Sequence, residues 1–371
     1  MQLTFPHLYG IDAEEAKNPI QQIVELKHRR EGNLVPYTNG RTTGFLFRPG
    51  EPDEVLILPN AKHIRDGYQR VLIASPDPNL LDNDLSEGEW RRHPLLPPEG
   101  AELDYAQRIN EIRDSWSGAF SFVEEDPAQS VIGLRRPQIG AVHAVHMHWI
   151  VSSSAATIVM PTGTGKTETM LSILVSMPCP KLLVVVPTDA LRTQLAEKFL
   201  TLGVLKIPGC AVLKEGAKTP IVCMLQHIPS NPGEVDRIFT RAQVIVTTSQ
   251  IAGQCEQVVQ ERMATHCPYL FIDEAHHAEA PTWSAFKERF REKRILQFTA
   301  TPFREDGRPL DGDIIFKYPL KLAQEEGYFA PITFERVVEF NTKRVDRAIA
   351  QKAVERLRAD YDKGHILMAR V

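Results

Sequence analysis

The chain has little cysteine: five in 371 residues, with no C-x-x-C pair. Cys179, Cys210, Cys223, Cys255 and Cys267 are scattered, which excludes a zinc ribbon and argues against a disulfide framework. Free thiols fit a reducing, cytoplasmic setting. No apolar run approaches the ~18–20 residues that a membrane helix needs, so no membrane partner is expected. Met1–Gly10 has no basic stretch leading into an apolar run, so no signal peptide is visible. There is no internal repeat. No charge sign dominates either: 43 Lys and Arg stand against 47 Asp and Glu, a formal net charge of -4. A polyanionic partner must then be held by a local basic surface and not by a global field.

What is present is an ordinary globular balance, 43% hydrophobic and 24% charged. The length suits two domains with part of a third. Residues 1–129 read as a smaller mixed α/β accessory domain. Gly44–Phe47, Val55–Leu58 and Val71–Ala74 have the look of strands, residues 75–100 read as a long loop, and Ala101–Trp116 has helical spacing. Its basic clusters, His28-Arg29-Arg30 and Arg91-Arg92-His93, read as solvated surface, and no chemistry follows from them.

From residue 130 the pattern changes. Apolar runs at Ala156–Met160, Leu182–Val186, Val244–Val246, Leu270–Ile272 and Ile295–Phe298 alternate with helical segments. Continuous runs of this kind are strands buried on both faces, so a parallel sheet with helices on both sides is expected over 130–330. Ligands in such sheets sit at the carboxyl ends of the strands, and polar clusters fall there. The first is Met160-Pro161-Thr162-Gly163-Thr164-Gly165-Lys166-Thr167, followed by a helix opening at Glu168. Strand, glycine loop and helix make a phosphate cradle. Backbone N–H groups over Thr162–Glu168 face the anion, Lys166 reaches the outer phosphates, and Thr167 can ligate Mg²⁺. Met160 stands where the usual motif has its first glycine. After Leu270-Phe271-Ile272 come Asp273 and Glu274. The first suits Mg²⁺ together with Thr167, and the second can orient and deprotonate an attacking water.

In combination these motifs resemble a superfamily 2 helicase over residues 134–330, and the fold implied is a RecA-like P-loop domain. Leu134-Arg135-Arg136-Pro137-Gln138 looks like the adenine-recognition element, with Gln138 bonding the base. Met160–Thr167 is similar to motif I, Pro187–Arg192 to motif Ia, and Val246–Gln250 to a later nucleic-acid-contact motif. Asp273-Glu274-Ala275-His276 matches motif II, a DEAH box, and Thr299-Ala300-Thr301 matches motif III. The extended forms, through Ala278 and Arg304, look most like the type III restriction subunit and related DNA translocases. The resemblance implies ATP and Mg²⁺ as cofactors. It implies that Thr188, Arg192, Thr248 and Ser249 face a sugar-phosphate backbone. His276 would couple the nucleotide to Thr299 and Thr301.

The activity so implied is a nucleic-acid-dependent ATPase, a helicase or translocase acting on DNA, in a restriction, defence or repair setting. An RNA helicase and an ATP-gated binding module without motor activity are the alternatives. Residues 331–371 read as a linker, a helix over Val345–Tyr361 and, at His365–Val371, the first strand of a second RecA-like domain. With no second motif set and no arginine finger from that side, slow hydrolysis at best and no strand separation are expected of the chain alone. The other half would come from a longer polypeptide or a partner chain. His143, His146 and His148 lie on a helix and read as structural, since no fourth ligand is near them.

Overall fold

The computed structural model describes residues 1–50, 53–61, 67–98, 101–277, 281–301, 311–329, 336–339, 341 and 344–359. The chain divides into two compact units, Met1–Ala323 and Gln324–Val371.

The first unit begins with ten strands: β1 (Gln2–Phe5), β2 (Leu8–Glu15), β3 (Asn18–Glu25), β4 (His28–Glu31), β5 (Asn33–Asn39), β6 (Thr42–Gly50), β7 (Asp53–Leu58), β8 (Val71–Ile73), β9 (Asp82–Asp84) and β10 (Glu89–Arg92). Helix α1 (Tyr105–Trp116) follows, its N-terminus capped by Asp104, and buries Ile109, Ile112 and Trp116. Three expected strands and this helix fall where the periodicity puts them. The expected loop over 75–100 carries β9 and β10, which are short and polar on one face.

Then come α2 (Arg136–Val151), β11 (Ala156–Val159), α3 (Lys166–Ser176), β12 (Leu182–Val186), α4 (Asp189–Thr201), β13 (Val222–Met224), α5 (Pro232–Arg241), β14 (Val244–Thr248), α6 (Ser249–Gln254), α7 (Gln257–His266), β15 (Tyr269–Ile272), α8 (Pro281–Glu288), β16 (Arg294–Thr299), β17 (Asp313–Lys317) and α9 (Leu320–Glu325). The main sheet runs β17-β11-β16-β15-β12-β14-β13-β3-β2. From β17 to β13 every pairing is parallel. Strands β11, β12, β14 and β15 are buried at every position, as continuous apolar runs require. This is the RecA-like α/β fold.

Two features depart from the sequence reading. Strands β2 and β3 extend the main sheet, β3 lying antiparallel to β13 with Cys223 opposite Ile20. Residues 8–25 therefore belong to the main sheet, with β3 against β13 and β2 outermost. Likewise β17 follows the last strand expected from the apolar runs, Ile295–Phe298, and pairs with β11. Strands β2 and β17 are the two edge strands, and the alternating or mixed burial of such strands leaves a weak sequence signal. In the second unit, α10 (Val345–Ala359) matches the expected helix. The strand expected at His365–Val371 lies outside the described residues.

Candidate nucleotide site and nucleic-acid cleft

Parallel pairing brings the carboxyl ends of β11, β12, β14, β15 and β16 to one edge. Beyond β11 the chain turns through Pro161–Gly165. Gly163 and Gly165 have φ of 88° and 94°, in the region glycine reaches without penalty. Gly165 is the N-cap of α3, so the loop ends with backbone N–H groups at a helix N-terminus. Its hydrogen is also required by space: a Cβ there would sit 1.8 Å from Gln138 Nε2. Met160 is harmless because its position simply continues β11. Its N–H donates to Thr299 O at 2.9 Å, and its side chain is buried.

Lys166 opens α3 and is 8% exposed. Its Nζ donates to Glu274 Oε1 at 2.5 Å, across 108 residues of sequence. Asp273, one residue beyond β15, is also 8% exposed, and its N–H donates to Val185 O. Burial pushes its carboxyl up to about 6; Lys166 pulls against this and Glu274 adds to it. Asp273 Oδ1 is buried with no hydrogen-bond partner among the described residues. An orphaned buried carboxylate oxygen beside a lysine is a demand for a cation or a donor. Thr167, half-buried in the first turn of α3, supplies a second hard oxygen on the same loop. One carboxylate and one hydroxyl suit Mg²⁺, which keeps waters and takes its remaining ligands from phosphates. No cluster of three or more His, Cys, Asp or Glu that could hold a metal occurs among the described residues.

Glu274 has φ of 48°, a left-handed backbone that costs on the order of 1 kcal/mol for a non-glycine residue. This backbone turn follows directly on Asp273, and the Glu274 carboxylate lands on Lys166. Its Oε2 lies 3.4 Å from His276 Nδ1. His276 Nδ1 is 2.9 Å from Thr299 Oγ1, and the Thr299 hydroxyl donates to Thr301 O at 2.7 Å. With that proton committed, Thr299 accepts, so His276 carries its hydrogen on Nδ1. Motifs II and III are thus in direct contact.

Next to Glu274 opens a cleft of about 610 Å³ lined by Thr162, Pro187, Thr188, Leu191, Ser249, Glu274, His276 and Ala300. Thr188 is exposed and caps α4; Ser249 is half-exposed at the start of α6. Thr248 and Arg192, expected beside them, are not on this surface. Thr248 is 4% exposed and spends its hydroxyl capping α6. Arg192, in the first turn of α4, is 7% exposed and bonded to Asp189 at 2.8 Å.

Gln138 also departs from expectation. Gln138 is 4% exposed; its Oε1 accepts from Arg135 N at 2.8 Å and its Nε2 reaches Thr164 O at 3.5 Å. Both ends are bound to backbone, so here the amide braces the phosphate loop and offers no open edge to a base. The Glu168 carboxylate lies 3.6 Å from Lys198, and its expected part, a backbone N–H facing the anion, is separate from this contact. A residue absent from the expected site, Arg135, donates to Gly163 O at 2.8 Å. Pro137 in the first turn of α2 was the signal, since proline there places Arg135 at the N-cap, beside the loop. The three histidines are structural: His143 stacks on Phe122, His146 bonds Ser176 and His148 bonds Ser154 O.

Residues 131–304 match the family described as "Type III restriction enzyme, res subunit". Over these residues the chain is similar to the superfamily 2 helicase domain of the type III restriction res subunit. A curated relative, the DNA 3'-5' translocase XPB2 of Sulfurisphaera tokodaii, is 31% identical over 180 residues, which is 48% of this chain and 33% of the relative. The match thus spans about a third of that relative's length. Similar solved structures include the Hef helicase domain of Pyrococcus furiosus, at 20% identity and TM-score 0.38, covering 66% of this chain and 50% of that one. Another is a nuclease-deletion mutant of the type ISP restriction-modification enzyme LlaGI with a DNA substrate mimic, at 17% identity and TM-score 0.35, covering 62% and 23%. The UvsW helicase of bacteriophage T4 stands at 18% identity and TM-score 0.32, covering 52% and 60%. No helix among the described residues is long and apolar enough to cross a membrane.

Proposed function

We propose that this res-subunit-like domain is the ATP-binding half of a DNA-dependent ATPase, coupling Mg²⁺-ATP hydrolysis to movement along or remodelling of DNA. The observation that carries this reading is the meeting of Lys166, Asp273 and Glu274 at one sheet edge, beside a cleft holding Thr188 and Ser249.

The phosphate loop binds the triphosphate through backbone N–H groups and Lys166. Lys166 then exchanges Glu274 for phosphate, which frees the Glu274 carboxylate to orient and deprotonate water. Asp273 and Thr167 would hold Mg²⁺, which neutralises charge developing on the phosphates. His276 carries any shift of Glu274 to Thr299 and Thr301, beside the cleft. Thr188 and Ser249 contact a sugar-phosphate backbone without reading bases. A second RecA-like domain facing the nucleotide, in this or another polypeptide, belongs to the same reading.

DNA is favoured over RNA because a curated relative is named a DNA translocase. The test is phosphate release from Mg²⁺-ATP by the chain alone and with duplex DNA, single-stranded DNA or RNA. DNA stimulation above RNA supports the reading. Equal stimulation by RNA supports an RNA helicase. Nucleotide-dependent DNA retention without turnover supports a gated binding module.

A further inference from the structure

We propose that the β2–β3 hairpin extends the nucleic-acid track beyond the helicase motifs, with Lys17 as a phosphate contact at its tip. The inference rests on the nucleic-acid reading above, but its residues lie outside the family match, which starts at 131.

The first observation is register. Strand β3 runs antiparallel to β13, with Gln21 opposite Val222 and Ile20 opposite Cys223. The turn at Ala16-Lys17 therefore lies past the carboxyl end of β13, at the edge that carries Thr188 and Ser249. Neighbouring strands lie about 4.8 Å apart, so two spacings, roughly 10 Å, separate the end of β14 from the β3 side of this turn. A strand passing over Thr188 and Ser249 in the direction of β13 reaches the turn next.

The second observation is how the tip is held. Ala16 and Lys17 have φ of 48° and 70°, both left-handed, in a two-residue hairpin where Asn-Gly would be comfortable. Strain of this kind persists where the surroundings over-determine it, and it clusters at functional sites. Here Asn18 is fully buried, and its Oδ1 accepts from Gln226 N at 2.7 Å and His227 N at 2.8 Å. Those two residues begin the loop leaving β13, and Leu225, just before them, bonds β14 through Val246 O and the Thr247 hydroxyl. On the other side of the turn, Glu15 is bound by Arg237 and Arg241 of α5. The hairpin tip is thus braced against the β13 loop and against the C-terminal half of α5.

The third observation is charge. Lys17 is exposed and has no acidic partner among the described residues. Four arginines of the strand-rich region are, by contrast, paired: Arg29 with Asp82, Arg30 and Arg70 with Asp53, and Arg48 with Glu54. Glu15, beside the turn, is already spent on two arginines. An unpaired ammonium on a rigid tip, next to exposed His227, fits a phosphate and carries no sequence preference.

The test is fluorescence anisotropy of labelled single-stranded DNA titrated with the full chain at several salt concentrations. Lys17→Gly removes the charge and relieves the left-handed backbone, so its thermal midpoint should hold or rise while affinity falls. Opposite signs separate lost contact from lost fold. For Lys17→Gly and Lys17→Ala, the slope of log K against log salt should drop by ~0.7, the value for one phosphate on a single strand. Lys17→Glu should bind more weakly still, and Lys17→Arg should retain binding. Nucleotide affinity should be unchanged in all four. Wild-type affinity and slope in Lys17→Glu would overturn the hairpin contact and leave the nucleic-acid reading standing. Absence of nucleic-acid binding by the wild type would overturn both.

Discussion

The two β-rich halves of the first unit use strands in opposite ways. In the parallel half, β11, β12, β14 and β15 are buried at every position, and their chemistry is confined to the residues just past their ends. In the N-terminal half, β4 and β10 alternate between half-buried and exposed, and their polar residues pair with one another across the surface. The first arrangement leaves two carboxylate oxygens, on Asp273 and Glu274, unbonded side by side; the second holds its surface aspartates in ion pairs. Asp273 Oδ1 is left without a bond, whereas Asp53 is held by both Arg30 and Arg70. A region that leaves charges unsatisfied is prepared for a ligand, and one that satisfies them is prepared for stability.

The contrast can be broken by substitution. Its largest expected consequence is kinetic. Glu274→Gln should bind nucleotide normally and lose hydrolysis by about 10²–10⁴-fold, the usual weight of a general base. Arg48→Ala, in the other half, should leave turnover unchanged. A Glu274→Gln variant with wild-type phosphate release would remove Glu274 from the chemistry.

Next in size is the core. Phe271 is fully buried in β15 and packs on Phe298. Phe271→Ala should cost about 3–5 kcal/mol in denaturant unfolding. A loss under about 1 kcal/mol would mean that the parallel sheet is not the packed centre described here.

A smaller effect of opposite sign is expected at Asp273. Because burial raises its carboxyl from 3.8 to about 6, ionisation costs the folded state more than the unfolded chain. Stability from this group therefore falls as pH rises from about 4 to 6, and the penalty is complete at neutral pH. Asp273→Asn should stabilise the nucleotide-free protein at pH 7 by about 1–3 kcal/mol, and by little at pH 4. Destabilisation at pH 7 would show that the buried carboxylate is better satisfied than its orphaned oxygen indicates.

The smallest effect belongs to the N-terminal surface. Breaking the Arg48–Glu54 pair, 53% and 43% exposed, should change stability by less than about 1 kcal/mol. A larger loss would place part of the protein's stability in that surface network.

How much of this was readable in the residues follows the same division. The parallel strands, the phosphate loop and the Asp273–Glu274 pair declare themselves, because full burial leaves uninterrupted apolar runs and function sits at their ends. Strands β2, β3 and β17 do not: mixed burial and tertiary pairing, not local pattern, make them strands of the main sheet. Among the site residues, Lys166, Glu274, His276 and Thr299 meet as the motifs imply. Gln138, Arg192 and Thr248 were placed by motif resemblance, and a motif match does not say which way a side chain turns. Helix capping and burial decided that for each.

The central claim is that Lys166 and Asp273 serve a single Mg²⁺-nucleotide. Calorimetric titration of the wild type and Lys166→Ala with a slowly hydrolysed ATP analogue, with and without Mg²⁺, tests it most directly. The expected result is saturable, Mg²⁺-strengthened binding in the wild type and none in Lys166→Ala. Equal affinity in the two proteins, with or without the metal, would contradict it.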